Sequence, residues 1–426
     1  MKERLFAISF LVNLFFVVCG CGSVEKEEVV VPEVDIIEKN YQQNNSLALQ
    51  RVNAIMYSQS EFRSTEELFK LVHISDPHLS GFSTDNHYLK PINLIQSVRF
   101  ANQPQSRINA IAVTGDLIGN SWIKHDALRY LDAFTTHFYT NNHIPSAICI
   151  GNHDNNYYVG KEVNPQEVFI TRTELNQHLF SADPNRKKEE RSENYYYLDV
   201  PSPQGGYIRL ISLDMIDHIG NQYDALHDVY YSQAQIEWLG NIALKKDITP
   251  QHSVVVLNHF PFEPTSGGGK SSYLCDGYFV HTWQMVPEII EAYRSKTTIS
   301  KQYPNRYIKG DSIYVDFDFT DNSGEFICHL GGHSHCFACF DLKDISNANP
   351  ALPTQKMILC TNQAPTDAGE VYNRTSRKNA TVSSNCFNIY AFDTEEKVVY
   401  VTFFGANAQL GDATYPEIYS FSYLDL

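Results

Sequence analysis

Ile144-Pro145-Ser146-Ala147-Ile148-Cys149-Ile150-Gly151-Asn152-His153-Asp154 is an apolar run that stops abruptly on a glycine and three polar side chains. An apolar stretch of this length, bounded by turn signals, reads as a buried strand. The glycine suits a tight turn, and the polar triplet then sits on the loop just past the strand end. The same arrangement recurs four times. Leu71-Val72-His73-Ile74 leads into Asp76-Pro77-His78, and 108–113 into Gly115-Asp116. Further on, 254–257 leads into His259, and 326–330 into Gly332-His333-Ser334-His335. In α/β sheets, binding sites gather at the carboxyl edge of the strands. The expected fold is therefore α/β: two mixed β-sheets in a sandwich flanked by helices, with the polar edge joining the sheets.

Each block alone is weak. A single histidine is usually a core or surface residue, and Gly-Asp and Gly-Asn are frequent turn pairs. Together the blocks supply carboxylate, carboxamide and imidazole donors in the order Asp76, His78, Asp116, Asn152, His259, His333 and His335. Such donors suit borderline divalent cations, and the set is large enough for two ions if one carboxylate bridges them.

Laid out this way, the chain resembles the calcineurin-like metallophosphoesterase superfamily, whose pattern is D-x-H, G-D, G-N-H-D/E, a lone His and G-H-x-H. The resemblance runs from about Phe69 to about Ala406 and fills every block. It implies that Asp76, His78 and His335 hold one metal and that Asn152, His259 and His333 hold the other. Asp116 would bridge them, and His153 would stay off the metals as a general acid, with Asp154 orienting it. Fe, Mn, Zn and Ni all fit these donors. Two departures narrow the branch. Purple acid phosphatases place a tyrosine three residues after the bridging aspartate, where this chain has Gly119. The Arg-Gly that phosphoprotein phosphatases carry after G-D is absent from Gly115-Asp116-Leu117-Ile118-Gly119-Asn120. The chain is most similar to the bacterial phosphodiesterase-like branch, with Phe337 and Phe340 behind G-H-x-H.

The resemblance implies hydrolysis of a small phosphate ester. Two cations lower the pKa of a water from 15.7 toward about 7. The resulting bridging hydroxide attacks phosphorus in line, and His153 protonates the departing alkoxide, a step that contributes on the order of 10²–10⁴ in rate. Diesters are the expected substrates. Enzymes specialised for a monoester dianion commonly supply arginine forks, and no block here has an arginine within a few residues. Arg172 and Arg209 are the arginines that the fold could bring in. A phosphomonoesterase is the alternative within this fold. A non-catalytic surface lipoprotein that binds a phosphorylated ligand is the alternative outside it, and the complete donor set argues against that reading.

A net charge of −16 leaves no broad electrostatic footprint for DNA or RNA, so nucleic acid is not an expected partner. At the start of the chain, Lys2 and Arg4 precede an apolar run from Leu5 to Val18, followed by Val18-Cys19-Gly20-Cys21. Residues 1–20 read as a signal peptide of the bacterial lipoprotein type, too short to span a bilayer comfortably. Lipid chains on Cys21 would tether an exported protein to a membrane surface, facing the periplasm or the cell exterior. Residues 21–45, polar and charged, read as a flexible linker. The spacing of Leu49, Val52, Ile55 and Met56 marks the start of ordered structure. The blocks extend from Asp76 to His335, so one catalytic domain over 46–426 must gather them.

Within that domain, 262–324 reads as an insertion, either a wall of the substrate cleft or a surface excursion with its own small core. Tyr195-Tyr196-Tyr197 and 311–319 read as strands, and 387–392 with 398–401 as a hairpin finishing the second sheet. Asn155-Asn156-Tyr157-Tyr158 follow G-N-H-D and would help shape the leaving-group pocket. Gly267-Gly268-Gly269-Lys270-Ser271 fails as a phosphate loop because Pro264 stands where its first glycine is required. The cysteines beyond Cys21, including the pair Cys336 and Cys339, fit buried thiols with one or two disulfides among them.

Overall fold

The protein is described by a computed structural model over residues 67–423, apart from 81–88, 157–164, 182, 184–190, 193, 218–227, 230, 263–278, 281–282, 305–311, 346–353, 362, 364–384 and 407–417. The signal peptide, Cys21, the linker, the helix-like stretch up to residue 66, Tyr157, Tyr158 and the 267–271 loop lie outside the described residues.

The chain begins with β1 (Phe69–Ile74), β2 (Ala110–Thr114) and β3 (Ser146–Cys149), joined by the helices α1 (Leu89–Asn102) and α2 (Lys124–Asn141). Next come β4 (Arg191–Ser192), β5 (Tyr195–Pro201), β6 (Tyr207–Ser212), β7 (Asp228–Val229), α3 (Gln233–Trp238) and β8 (His252–Leu257). They are followed by β9 (Phe279–Val280), α4 (Met285–Arg294), β10 (Thr298–Pro304), β11 (Ser312–Asp318) and β12 (Glu325–Gly331). The last strands are β13 (Ala338–Asp341), β14 (Lys356–Leu359), β15 (Cys386–Asp393), β16 (Val398–Gly405) and β17 (Ile418–Ser422).

Two large mixed sheets result, in the orders β17-β16-β15-β1-β2-β3 and β13-β14-β12-β8-β6-β5-β4. The strands that precede the polar blocks are parallel neighbours within each sheet: β1 with β2 and β2 with β3, then β6 with β8 and β8 with β12. Successive side chains on a strand point to opposite faces, which sorts them into layers. On β1, Phe69 and Leu71 join Ala110, Ala112, Ile208, Leu210, Val255 and Leu257 in the core between the sheets. Val72 and Ile74 point the other way and meet Leu94 and Val98 of α1 and Phe134 and Phe138 of α2. On the far side of the second sheet, Val254 and Val256 pack against Ile289 and Ile290 of α4. Burial on both faces explains the nearly continuous apolar strands.

One expectation is corrected. The hairpin β15–β16 does not finish the second sheet: β15 pairs antiparallel with β1, from Phe69 against Phe392 to His73 against Asn388. The sequence shows that these runs are strands but not which sheet takes them. In the described part of 262–324, for which two readings stood open, Phe262, Ile289, Val315 and Phe317 share one cluster with Val254 and Leu213. Tyr195, Tyr196 and Tyr197 form a strand, and Tyr196 and Tyr197 join the cores on opposite faces. Six cysteines, Cys336 and Cys339 among them, are buried, and no disulfide forms among the described residues, against the one or two expected.

Candidate metal centre

All five polar blocks emerge at carboxyl ends of parallel strands and meet where the two sheets adjoin. Asp76 and His78 follow β1, Asp116 follows β2, and Asn152 and His153 follow β3. The second sheet contributes His259 after β8, and His333 and His335 after β12. Adjacent loops are stitched by backbone hydrogen bonds, Asp76 N to Gly115 O at 3.1 Å, His78 N to Asp116 O at 3.0 Å and Gly332 N to His259 O at 2.9 Å.

This packing demands unusual backbone. Asp76, His78, Asp116, His333 and His335 all have positive φ, between 45° and 66°. Left-handed backbone at a non-glycine residue costs of order 1–3 kcal/mol and persists only where its surroundings enforce it. Glycines allow the approach. A Cβ on Gly151 would lie 2.2 Å from Asp116 Oδ1, and one on Gly332 would lie 1.9 Å from Ser75 Oγ and 2.6 Å from Asp76 Oδ2.

The donors fall into two groups that share one residue. Asp76, His78, Asp116 and His335 offer ligand atoms within 4.8 Å of one another, and so do Asp116, His259 and His333. In the first group, the Nε2 atoms of His78 and His335 are 3.1 Å apart and lie 3.8 and 3.3 Å from Asp76 Oδ1. That oxygen is buried and accepts no hydrogen bond, so it is available to a cation. In the second, His259 Nε2 lies 3.2 Å from Asp116 Oδ2 and 3.0 Å from Asn152 Oδ1, and His333 Nδ1 lies 3.1 Å from that same carboxamide oxygen. His259 Nδ1 donates to the Thr114 carbonyl at 2.6 Å, which directs the Nε2 lone pair inward. Burial opposes charge on His259, but the Asp116 carboxylate beside it outweighs that and raises its pKa to about 9. A proton or a cation can therefore balance Asp116 at this point, and the two compete. Burial above all lowers His78 and His333, keeping them in the neutral form that ligation requires. Converging neutral imidazoles, a buried carboxylate oxygen that accepts no hydrogen bond and glycine-lined walls fit a pair of cations.

His153 belongs to neither group. Its ring meets His78 edge to face at a centroid distance of 4.7 Å, with Nε2 3.9 Å from Asp116 Oδ2. Its Nδ1 is 2.9 Å from Asn120 Nδ2, a partner that the sequence did not reveal.

Asp154 does something other than expected. Its carboxylate accepts from Leu117 N at 2.7 Å, Ile118 N at 3.2 Å and Gly151 N at 2.7 Å, and it is fully buried. It clamps the loops after β2 and β3 together and does not orient His153. Asn156 is also a brace and not a pocket wall: its side chain bonds the backbone of Ser121 and Val168. Of the two candidate arginines, Arg209 is buried against Asp199 and the carbonyls of Ala243 and Lys246. Arg172 Nη1 is held by Asp217 at 2.5 Å.

A sequence model of a family described as calcineurin-like phosphoesterase matches residues 69–337. No curated protein matches the chain. Among solved structures, a dimetal phosphatase from Danio rerio aligns with a TM-score of 0.48 at 12% identity, over 83% of this chain and 99% of that one. PhoD aligns with a TM-score of 0.44 at 9% identity, over 79% of this chain and 65% of that one. A phosphopantetheinyl hydrolase from Mycobacterium tuberculosis aligns with a TM-score of 0.33 at 10% identity, over 70% of this chain and 91% of that one.

Proposed function

Because the chain belongs to the calcineurin-like phosphoesterase family, a family of metal-dependent phosphoester hydrolases, we propose that it hydrolyses small phosphodiesters at a two-cation centre. Asp76, His78 and His335 hold one ion, Asn152, His259 and His333 hold the other, and Asp116 bridges. The observation that carries this reading is the pair of donor groups with Asp116 in both. When bound, the cations neutralise phosphoryl oxygens and bring the pKa of a water toward about 7. The protein's own residues do the rest. Asn120 fixes the His153 ring through Nδ1, leaving Nε2 on the Asp116 side to deliver a proton to the leaving oxygen. Asp154 holds the two loops that carry Asp116 and His153 in register.

The diester preference is supported by the engagement of both candidate arginines elsewhere. Neither Arg172 nor Arg209 is then available as the bidentate partner that enzymes specialised for a monoester dianion commonly provide. Nitrophenyl diester and monoester substrates, matched in leaving group and assayed with Mn-loaded protein, are expected to show the higher kcat/KM for the diester. A tenfold preference for the monoester, about 1.4 kcal/mol, would make this a phosphomonoesterase.

Two cations per chain, drawn from Fe, Mn, Zn or Ni, belong to the same proposal. Elemental analysis of the active protein should approach two equivalents, and full activity at one would end the binuclear reading. Export and anchoring through lipid at Cys21 are proposed on the sequence pattern alone. Mass spectrometry of the mature amino terminus decides that point: a diacylglyceryl cysteine supports it and an unmodified terminus elsewhere refutes it.

A further inference from the structure

A buried line of hydrogen bonds runs from the C-terminal hairpin to the metal centre. Asn388 Nδ2 donates to Tyr390 Oη at 3.1 Å, and Tyr390 Oη lies 2.9 Å from His73 Nδ1. His73 Nε2 lies 2.8 Å from Thr114 Oγ1, which donates to Ser75 Oγ at 2.8 Å, and Ser75 Oγ donates to Asp76 Oδ2. Every member is at most 1% exposed. The direction is set from the metal end. Thr114 spends its single proton on Ser75, so it accepts from His73 Nε2–H. His73 Nδ1 is then an acceptor and takes the Tyr390 proton. Burial, which lowers the His73 pKa to about 3, keeps this imidazole neutral and so leaves Nδ1 free to accept.

At the far end the line divides the Asp76 carboxylate into two roles. Oδ2 accepts from Ser75 and from the backbone N–H of His333 at 3.1 Å, so Oδ1 is the oxygen turned toward His335 and His78. We propose that Tyr390, backed by Asn388, is a positioning residue for the metal centre, acting through His73, Thr114 and Ser75 to fix which oxygen Asp76 presents. Both residues are on β15, outside the 69–337 segment that the family model matches. The inference rests on Asp76 as a ligand of the first cation. A partner bonded directly to a metal ligand, as Ser75 is to Asp76, typically contributes 10–100-fold in metal affinity, and a residue further along the line contributes a share of that.

The test is calorimetric titration of metal-free protein with MnCl2, following each of the two equivalents. Tyr390→Phe keeps the ring and removes the hydroxyl, and the near-isosteric Thr114→Val breaks the line in its middle. Because only Ser75 touches Asp76 directly, each is expected to weaken one equivalent by a smaller factor, about tenfold at most, and leave the other as in the wild type. Ile389→Val, a buried change on the same strand, is the control: it should lower the melting temperature and leave both affinities alone. A purely structural role for Tyr390 would weaken both equivalents together, or neither. If Tyr390→Phe fails to fold, Thr114→Val decides alone. Wild-type affinity at both sites in the variants, or an equal loss in Ile389→Val, overturns the positioning role. Wild-type protein that binds none of Mn2+, Zn2+, Ni2+ and Fe2+ overturns the proposed function, and this inference with it.

Discussion

Five of the proposed ligands hold left-handed backbone, an arrangement that only a network of bonds around them can enforce. Asp154 is central to that network. Replacing it with alanine leaves the N–H groups of Leu117 and Gly151 buried without an acceptor, each at a cost of about 1–3 kcal/mol. Urea unfolding of Asp154→Ala should show a loss of several kcal/mol together with poor cation retention, whereas a catalytic orienting role would reduce kcat and spare stability. Asn120 should behave in the opposite way. Asn120→Ala is expected to fold and bind cations normally while kcat falls roughly tenfold for alkoxide leaving groups, part of the 10²–10⁴ that general acid catalysis contributes. The deficit should vanish for nitrophenolate. Equal loss on both substrates would remove Asn120 from the proton-transfer step. The ligands themselves were readable in the sequence because each stands at a fixed distance past an apolar strand. The Asn120 and Asp154 contacts were not, because both cross from the loop after β2 to the loop after β3, and no spacing within either loop encodes the other's position.

At the scale of elements, two strands bury a histidine that must remain neutral: His73 on β1 and His329 on β12. Burial lowers their pKa from 6.5 to about 3 and about 4 respectively. As pH falls below 6.5 the unfolded chain takes up protons that the folded chain refuses, so stability is complete above about 6.5 and declines toward pH 4. Each histidine contributes about 1.4 kcal/mol per pH unit within its window. His329→Gln should therefore flatten the fall in melting temperature between pH 6.5 and 4, and an unchanged slope would mean that His329 is protonated in the native state. His329 Nε2 is bonded to Gln355 Oε1 at 2.8 Å, an environment that glutamine can partly imitate. The existence of these strands was legible from their apolar runs, which is how their burial on both faces expresses itself. The sheet assignment of β15 was not legible, because an antiparallel partner can be supplied from any distance along the chain. The packing of 285–319 stayed undecided for the same reason: its apolar residues fit a private core as well as a shared one.

For the whole molecule, the two donor groups draw on both sheets. Asp76, His78, Asp116 and Asn152 come from the first, and His259, His333 and His335 from the second. Cations bound there would tie the layers together, and a ligand held only by the native state stabilises by about 2.7 kcal/mol at a hundred times its Kd. Chelation should lower the melting temperature, and Mn2+ should restore it in a concentration-dependent way. A melting temperature indifferent to chelator would mean that the sheets are held by their apolar core alone. The place of β1 inside its sheet bears on how the protein is made. Its neighbour β15 is supplied very late, Tyr390 lying 317 positions after His73. At a synthesis rate of about 5–20 residues per second, β1 leaves the ribosome roughly 15–60 s before the strand that covers it. Through that interval the nascent polypeptide displays an apolar, unpaired edge of the kind that recruits other chains. A stop codon placed just before Cys386 would make the exposure permanent, and such a product should collect in inclusion bodies despite carrying every metal ligand.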